Sequence, residues 1–165
     1  MAIIDGLIME MTHEGAATRK TLERLPEHKL DWTPHPKSFT ARKLASHLAE
    51  IPGYVIPTLQ QTEFVIVPGQ YTPFVGASRA EILAKHDQSL AAALAAMQGI
   101  PDEDLMVTWT FKLGDQTVFA MPRVGVIRVM VISHLIHHRA QLGVYLRILD
   151  VPVPAIYGPS ADEQR

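Results

Sequence analysis

An all-α fold, a four-helix bundle with a small β-hairpin or irregular insertion before its last helix, is what the sequence predicts, on three observations. Four segments carry apolar residues at helical spacing, each ended by a proline or glycine. One segment, between Val107 and Met121, alternates with a period of two instead. The length of 165 residues suits one domain that closes its own hydrophobic core, so residues 1–165 are read as a single bundle domain.

The first helix runs from Ile3 to Leu25, where Ile4, Leu7, Ile8, Met11, Thr18, Leu22 and Leu25 fall near helical spacing and Pro26 stops the pattern. After the turn-rich stretch Asp31 to Pro36, Thr40 is placed to cap a second helix. Its stripe is Leu44, His47, Leu48, Ile51 and Val55, and Pro52 bends it or ends its first half. Residues 60–77 form a long connection with breakers at Pro68, Gly69, Pro73 and Gly76, yet it carries Phe64, Tyr71 and Phe74. A connection of that kind is a lid or a packed strap. Ser78-Arg79-Ala80-Glu81 is a capping box, and the third helix runs from it to about Gln98, with Gly99 as its stop. In the hairpin, Val107, Trp109 and Phe111 alternate with Thr108, Thr110 and Lys112, and Gly114-Asp115 supplies the turn. Pro122 suits the first turn of the fourth helix, which continues to about Leu149 before Val151-Pro152 ends it. The last fifteen residues, with Pro152, Pro154 and Pro159, read as an extended tail. Each helix must bury one stripe, so the four pack most simply as an antiparallel bundle; the long connection and the hairpin leave the helix order open.

Composition narrows the functions. Lys and Arg number 15 against 17 Asp and Glu, a net charge of −2 with no basic block, so nucleic acid is not an expected partner. Hydrophobic residues at 47% and charged residues at 19% read as an ordered globular chain. With no cysteine there is no disulfide, no thiolate metal site and no cysteine nucleophile, so any metal must use His, Asp or Glu. The N-terminal stretch has Asp5 and no basic region before its apolar part, which does not read as a signal peptide, and a cytoplasmic location is expected. The most apolar run, Val124 to Ile136, contains Arg128 and falls short of the roughly 20 residues a bilayer span needs, so it reads as a buried helix and no membrane partner is expected.

The placement of the eight histidines carries the functional signal. His134 and His138 are four apart on the fourth helix and aim two imidazoles at one point, whereas His137 points about 100° away on the helical wheel. His47 interrupts the apolar stripe of the second helix and faces the bundle interior. It reads either as a core histidine satisfied by hydrogen bonds or as a third ligand, because an interior imidazole needs a partner for each nitrogen. His86 lies near the third-helix stripe but has no partner four residues on, and is taken as a rim residue. His28 and His35 sit in turn-rich sequence and are expected to be solvated; His13 reaches the site only if the first helix is rotated favourably.

The string His134-Leu-Ile-His137-His138-Arg139-Ala140-Gln141 resembles the HxxHHRxQ motif of the DinB-like (DNA damage-inducible, YfiT-related) metalloprotein superfamily. Ala45-Ser46-His47-Leu48-Ala49-Glu50 is similar to the segment around that family's upstream histidine, and Val153 to Ser160 looks like the tail of many members. Residues 60–121 carry no such motif, and Ala140 stands where members often have glycine. The resemblance implies a four-helix bundle in up-down-down-up order and one divalent metal ion, Zn, Ni or Fe, held by His47, His134 and His138. It further implies a metal-dependent thiol S-transferase, in which a low-molecular-weight thiol attacks a small electrophile. The alternatives are a hydrolase working through a metal-bound water and a non-catalytic metal-binding stress-response protein. The lack of cysteine agrees with the first, since the nucleophile then arrives with the cosubstrate.

Glu50, one turn past His47, is the candidate general base for hydrolysis, or else a solvated surface carboxylate. Gln141 continues the ligand face and either orients a ligand or bound water or is satisfied by backbone or solvent. Arg139 leaves that face and is expected in an ion pair or an interface. His137 is read as contacting the first helix or lining the pocket rim. Tyr54, with Trp32, Phe64, Tyr71 and Phe74, is read as pocket wall or as plain core. The apolar connection and the apolar excess of the fourth helix, with the resemblance, point to a homodimer.

Overall fold

The computed structural model describes residues 2–164. Helix α1 spans Ile3–Glu23 and buries Ile4, Leu7 and Met11 on one stripe. Asp5 closes its first turn by accepting from the backbone N–H of Ala2 at 3.1 Å. From Glu14 to Thr21 its buried face is small or polar, with Gly15, Ala17 and Thr18 between them, before Leu22 closes it. A Cβ at Gly15 would stand 2.5 Å from Leu90 Cδ2, so glycine is what lets α1 approach α4 (Arg79–Met97) there.

Helix α2 (Ala41–Glu50) starts where Thr40 accepts from the Lys43 N–H at 3.2 Å, as the capping residue predicts. At Pro52 the chain tightens into a 3-10 turn over Ile51–Tyr54 and resumes as α3 (Val55–Gln60). Helix α4 opens on the Ser78 cap, whose hydroxyl accepts from the Glu81 N–H at 3.2 Å, and ends before Gly99, which holds φ +72°. α5 is one turn, Asp102–Leu105.

The last helical stretch is continuous in sequence but not uniform. α6 (Arg123–Val126) runs into a π-helical segment, Ile127–Ser133, and then α7 (His134–Ile148). Pro122 closes the preceding strand instead of entering the helix. Asp150, at φ +56°, ends α7, and the Val151 N–H returns to the Leu146 carbonyl at 2.9 Å. α1 and α2 each pack against α4 and α7, and the core between them includes Met11, Leu48, Ile82 and Leu135.

The expected hairpin is present as β2 (Thr108–Leu113) and β3 (Gln116–Pro122), turned at Gly114 with φ +56°. A third strand was not expected: β1 (Glu63–Ile66) lies inside the long connection and pairs parallel to β2, Phe64 opposite Phe111. The remainder of that connection is a strap fastened to α2 at successive turns. Arg42 donates to the carbonyls of Gly76 (2.9 Å) and Ala77 (2.6 Å), the Ser46 hydroxyl accepts from the Gly76 N–H (3.0 Å), and Glu50 accepts from the Phe74 N–H (3.0 Å).

Among the described residues the tail has no helix or strand beyond α7, but it is not free. Tyr157 donates to Glu14 at 2.8 Å and accepts from Arg139 at 2.6 Å, while Asp162 accepts from Arg147 at 2.5 Å and from the Val153 N–H at 2.9 Å. Among the described residues, no helix is long and apolar enough to cross a membrane.

Candidate metal centre

Two backbone features set the ligand geometry. His47 occupies the last turn of α2, just before the proline-tightened bend, and the π-helical segment delivers His134 as the first residue of α7, with His138 one turn later. Their ring nitrogens lie within 4.8 Å of one another. His134 Nε2 stands 3.2 Å from His47 Nε2 and 2.9 Å from His138 Nε2.

The outer nitrogens decide which protons are present. His134 Nδ1 faces the Met130 carbonyl at 3.3 Å and His138 Nδ1 faces the Gln141 side-chain oxygen at 2.7 Å, so each Nδ1 carries the hydrogen and donates it. In the neutral rings both Nε2 atoms are then bare, and two lone pairs point at each other across 2.9 Å. That arrangement is repulsive unless a cation lies between them. Burial, and then the neighbouring imidazoles, push the His47 pKa down to about 4 and lower that of His134, while burial lowers His138. The neutral form that results is the one that binds metals. A tetrahedral ion with Zn–N of about 2.0–2.1 Å sets its nitrogens roughly 3.3 Å apart, close to the spacing of His134 from its two neighbours. The donor set fits a divalent ion.

Beside the cluster opens a cavity of about 500 Å³, lined by His47 and His134 together with mostly apolar side chains. The sheet forms one wall: Phe64 and Ile66 of β1, Trp109 and Phe111 of β2 and Phe119 of β3 face inward, while Thr108, Thr110 and Lys112 alternate onto the other face. Trp109 is 5% exposed and its indole N–H donates to the Pro57 carbonyl at 3.2 Å, which fixes the floor. Tyr71, Phe74 and Val75 of the strap close the other side.

Glu50 is not the solvated carboxylate that was one reading of its position. It lines the cavity, Oε1 accepts from the Phe74 N–H, and Oε2 is buried without a partner among the described residues. Burial raises its pKa above the ordinary value. Tyr54 lines the same cavity with its ring 6.5 Å from that of His47; burial, then the Tyr71 hydroxyl, hold its phenol protonated far above neutrality.

Other expected residues sit elsewhere. Trp32 is not in the cavity lining; it packs edge-on against Tyr145 at 5.5 Å. His137 is exposed, its ring 4.9 Å from that of His138, and does not line the cavity. His86 is no rim residue: it is fully buried and bonds through Nε2 to the Gly15 carbonyl at 3.0 Å, at the close α1–α4 approach. His13 lies outside the cluster, stacked on Tyr157 at 6.2 Å. Arg139 forms a buried ion pair with Glu14 at 2.6 Å, as its departure from the ligand face predicts. Sequence reasoning passed over Lys43, Phe111 and Phe119, all of which line the cavity. The available signal for Lys43 was its spacing, four residues before His47.

The family model of the DinB superfamily matches residues 10–142. The chain is 26% identical over 160 residues to the uncharacterised protein YrdA of Bacillus subtilis, covering 97% of this chain and 91% of that one. A DinB-like protein of Bacillus cereus, 24% identical, superposes with a TM-score of 0.71 over 94% of this chain and 98% of its own. YfiT of Bacillus subtilis, described as a probable metal-dependent hydrolase with an unusual four-helix bundle topology, is 16% identical, with a TM-score of 0.66 over 89% of this chain and 87% of its own.

Proposed function

This chain belongs to the DinB superfamily, and from that premise we propose that it is a metal-dependent enzyme that joins a low-molecular-weight thiol to a small electrophile. One observation carries the reading: the three imidazoles converge beside an apolar cavity whose described lining residues include no thiol and no free aliphatic hydroxyl. The sequence has no cysteine. Thr58, the one aliphatic hydroxyl of the lining, gives its proton to the Tyr54 carbonyl at 2.7 Å. A thiol nucleophile therefore enters with a ligand.

A divalent ion on His47, His134 and His138, whether Zn, Ni or Fe, supplies when bound the positive charge that draws the pKa of a thiol or a water toward neutrality. The residues of the chain do the rest. The aromatic sheet face and the strap hold the electrophile against the cluster and exclude water. Gln141 fixes the orientation and tautomer of His138. In the transfer a carbon–sulfur bond forms, the bond to the leaving group breaks, and the thiol proton departs to Glu50 or solvent.

Glu50 supports a second reading, a hydrolase like the one YfiT is described to be. Its unpartnered Oε2, in a carboxyl whose pKa burial raises, suits a group that takes a proton from water. The two readings separate in one experiment with metal-loaded protein, 1-chloro-2,4-dinitrobenzene with a panel of thiols, and p-nitrophenyl esters. Thiol conjugation that disappears in His138→Ala and persists in Glu50→Gln supports transfer; ester hydrolysis lost in both variants supports the hydrolase. Background rates with every thiol, at full metal loading, would refute the transferase.

As to partners, we propose a homodimer joined through the apolar residues that α7 leaves outside, among them Val144 and Ile148 at 58% and 54% exposure. A monomer mass at micromolar concentration would refute it.

A further inference from the structure

The cavity has an order along its length. Lys43, His47, Glu50 and Tyr54 are spaced i, i+4, i+7 and i+11, and all four line it, so they form one row along α2 and the turn that follows. At 1.5 Å per residue, Lys43 stands about 6 Å along the axis from His47 on one side, and Glu50 about 4.5 Å on the other. Exposure gives the direction. The exposed lining residues, Lys43, Phe39 (52% exposed), Val75 (48%) and Tyr71 (45%), mark the mouth, and Thr58 (1%) and Trp109 (5%) the floor.

Lys43 is the one lysine or arginine of the lining, and among the described residues its ammonium has no carboxylate partner. The adjacent cations are engaged: Arg42 pairs with Asp31 at 2.8 Å, and Lys85 sits 5.9 Å over the Phe74 ring. The one acidic group in the lining, Glu50, is two turns deeper, with an oxygen tied to the Phe74 N–H. A ligand that enters thus meets a free positive charge, then the imidazoles, then a wall of near-parallel aromatic rings in which Phe64, Trp109 and Phe111 stand about 6.5 Å apart.

We infer that the cavity takes a small carboxylate with a flat apolar body, its carboxylate held at the mouth by the Lys43 ammonium and its body lying across His47 onto the aromatic sheet face. The carboxylate is then roughly 6 Å from the point opposite His47, the distance between adjacent turns. This deepens the proposed function by naming the class of electrophile. It rests on that reading only for the statement that the ligand is a substrate.

The test is isothermal titration calorimetry on the metal-free full chain with 1-naphthoate, the neutral 1-naphthalenemethanol and the cationic 1-naphthylmethylamine. Naphthoate binds tightest, and Lys43→Gln weakens it about five- to tenfold, to the level of the alcohol, while Lys43→Arg keeps the preference. Added salt narrows the gap. The melting temperature of Lys43→Gln stays at the wild-type value, because the side chain is exposed. Equal affinities for naphthoate and the alcohol, an unchanged Lys43→Gln, or no measurable naphthoate binding would each overturn the inference. So would a Lys43→Gln effect on N-acetylcysteine alone, which would move the carboxylate to the thiol. No turnover enters the measurement, so its failure is separate from a failure of thiol transfer.

Discussion

Replacing Arg139 by alanine strands a buried charge next to the candidate ligands. Arg139 and Glu14 are 5% and 6% exposed and pair at 2.6 Å, and Arg139 also donates to the Glu14 backbone carbonyl at 3.1 Å and to the Tyr157 hydroxyl at 2.6 Å. Without the guanidinium, Glu14 keeps one donor, Tyr157, for a carboxylate closed off from water. Breaking a buried pair from one side costs about 3–5 kcal/mol, because the remaining charge is uncompensated. For a chain of this size about 2–4 °C of melting temperature corresponds to each kcal/mol, so Arg139→Ala should melt roughly 6–20 °C lower. Urea denaturation of the metal-free protein measures the loss directly. The double variant Arg139→Met/Glu14→Leu should recover most of it, since removing both charges also removes the desolvation cost. An Arg139→Ala loss below about 1 kcal/mol would show that the pair is effectively solvated and refute the reasoning.

Three further outcomes follow from the same structure. Gln141→Ala removes the acceptor for His138 Nδ1–H and should weaken metal binding about 10- to 100-fold in a competition titration with a chromophoric chelator; an unchanged affinity would separate Gln141 from the site. The metal-free protein should lose stability as pH falls below 6.5 toward about 4: His47 stays neutral when folded until its lowered pKa of about 4, while the unfolded chain already binds the proton. His86, lowered in the same direction, adds to the slope, so His86→Gln should flatten melting temperature against pH, and a slope equal to the wild type would contradict the assigned burial. The Glu50 carboxyl is raised, so its ionisation opposes folding above its ordinary pKa; Glu50→Gln should melt higher than the wild type at pH 8 and equal to it near pH 4, and a lower melting temperature at pH 8 would contradict an unpaired buried oxygen.

What the residues announce, and what they conceal, divides along physical lines. Thr40, Ser78, Gly99 and Gly114 mark element ends through bonds or backbone angles that involve only their near neighbours, and these positions are legible. The His134–His138 spacing is legible for the same reason, and His47 because a polar residue breaks an otherwise apolar stripe. Strand β1 is a four-residue alternation whose partner, β2, lies more than forty residues on, and breakers around it outweigh so short a pattern. The burial of His86 depends on a carbonyl that Gly15 exposes where two helices nearly touch, and nothing within the third-helix stripe encodes it. The π-helical segment leaves the spacing of His134 and His138 intact while it re-aims both, so a helical wheel over the whole run shows the pair but not its direction. The Arg42, Ser46 and Glu50 row that fastens the strap needs knowledge of where residues 74–77 return.

The central claim is that His47, His134 and His138 hold one divalent ion, and metal content tests it most directly. The chain is purified without a histidine tag or a metal column, and bound metals are measured by mass spectrometry before and after reloading, beside His138→Ala. The account predicts about one equivalent of Zn, Ni or Fe in the wild type and loss of that metal in the variant. A wild-type protein that stays metal-free after reloading would contradict it, and would mean that one of the facing Nε2 atoms of His134 and His138 carries a hydrogen, against the tautomers assigned above.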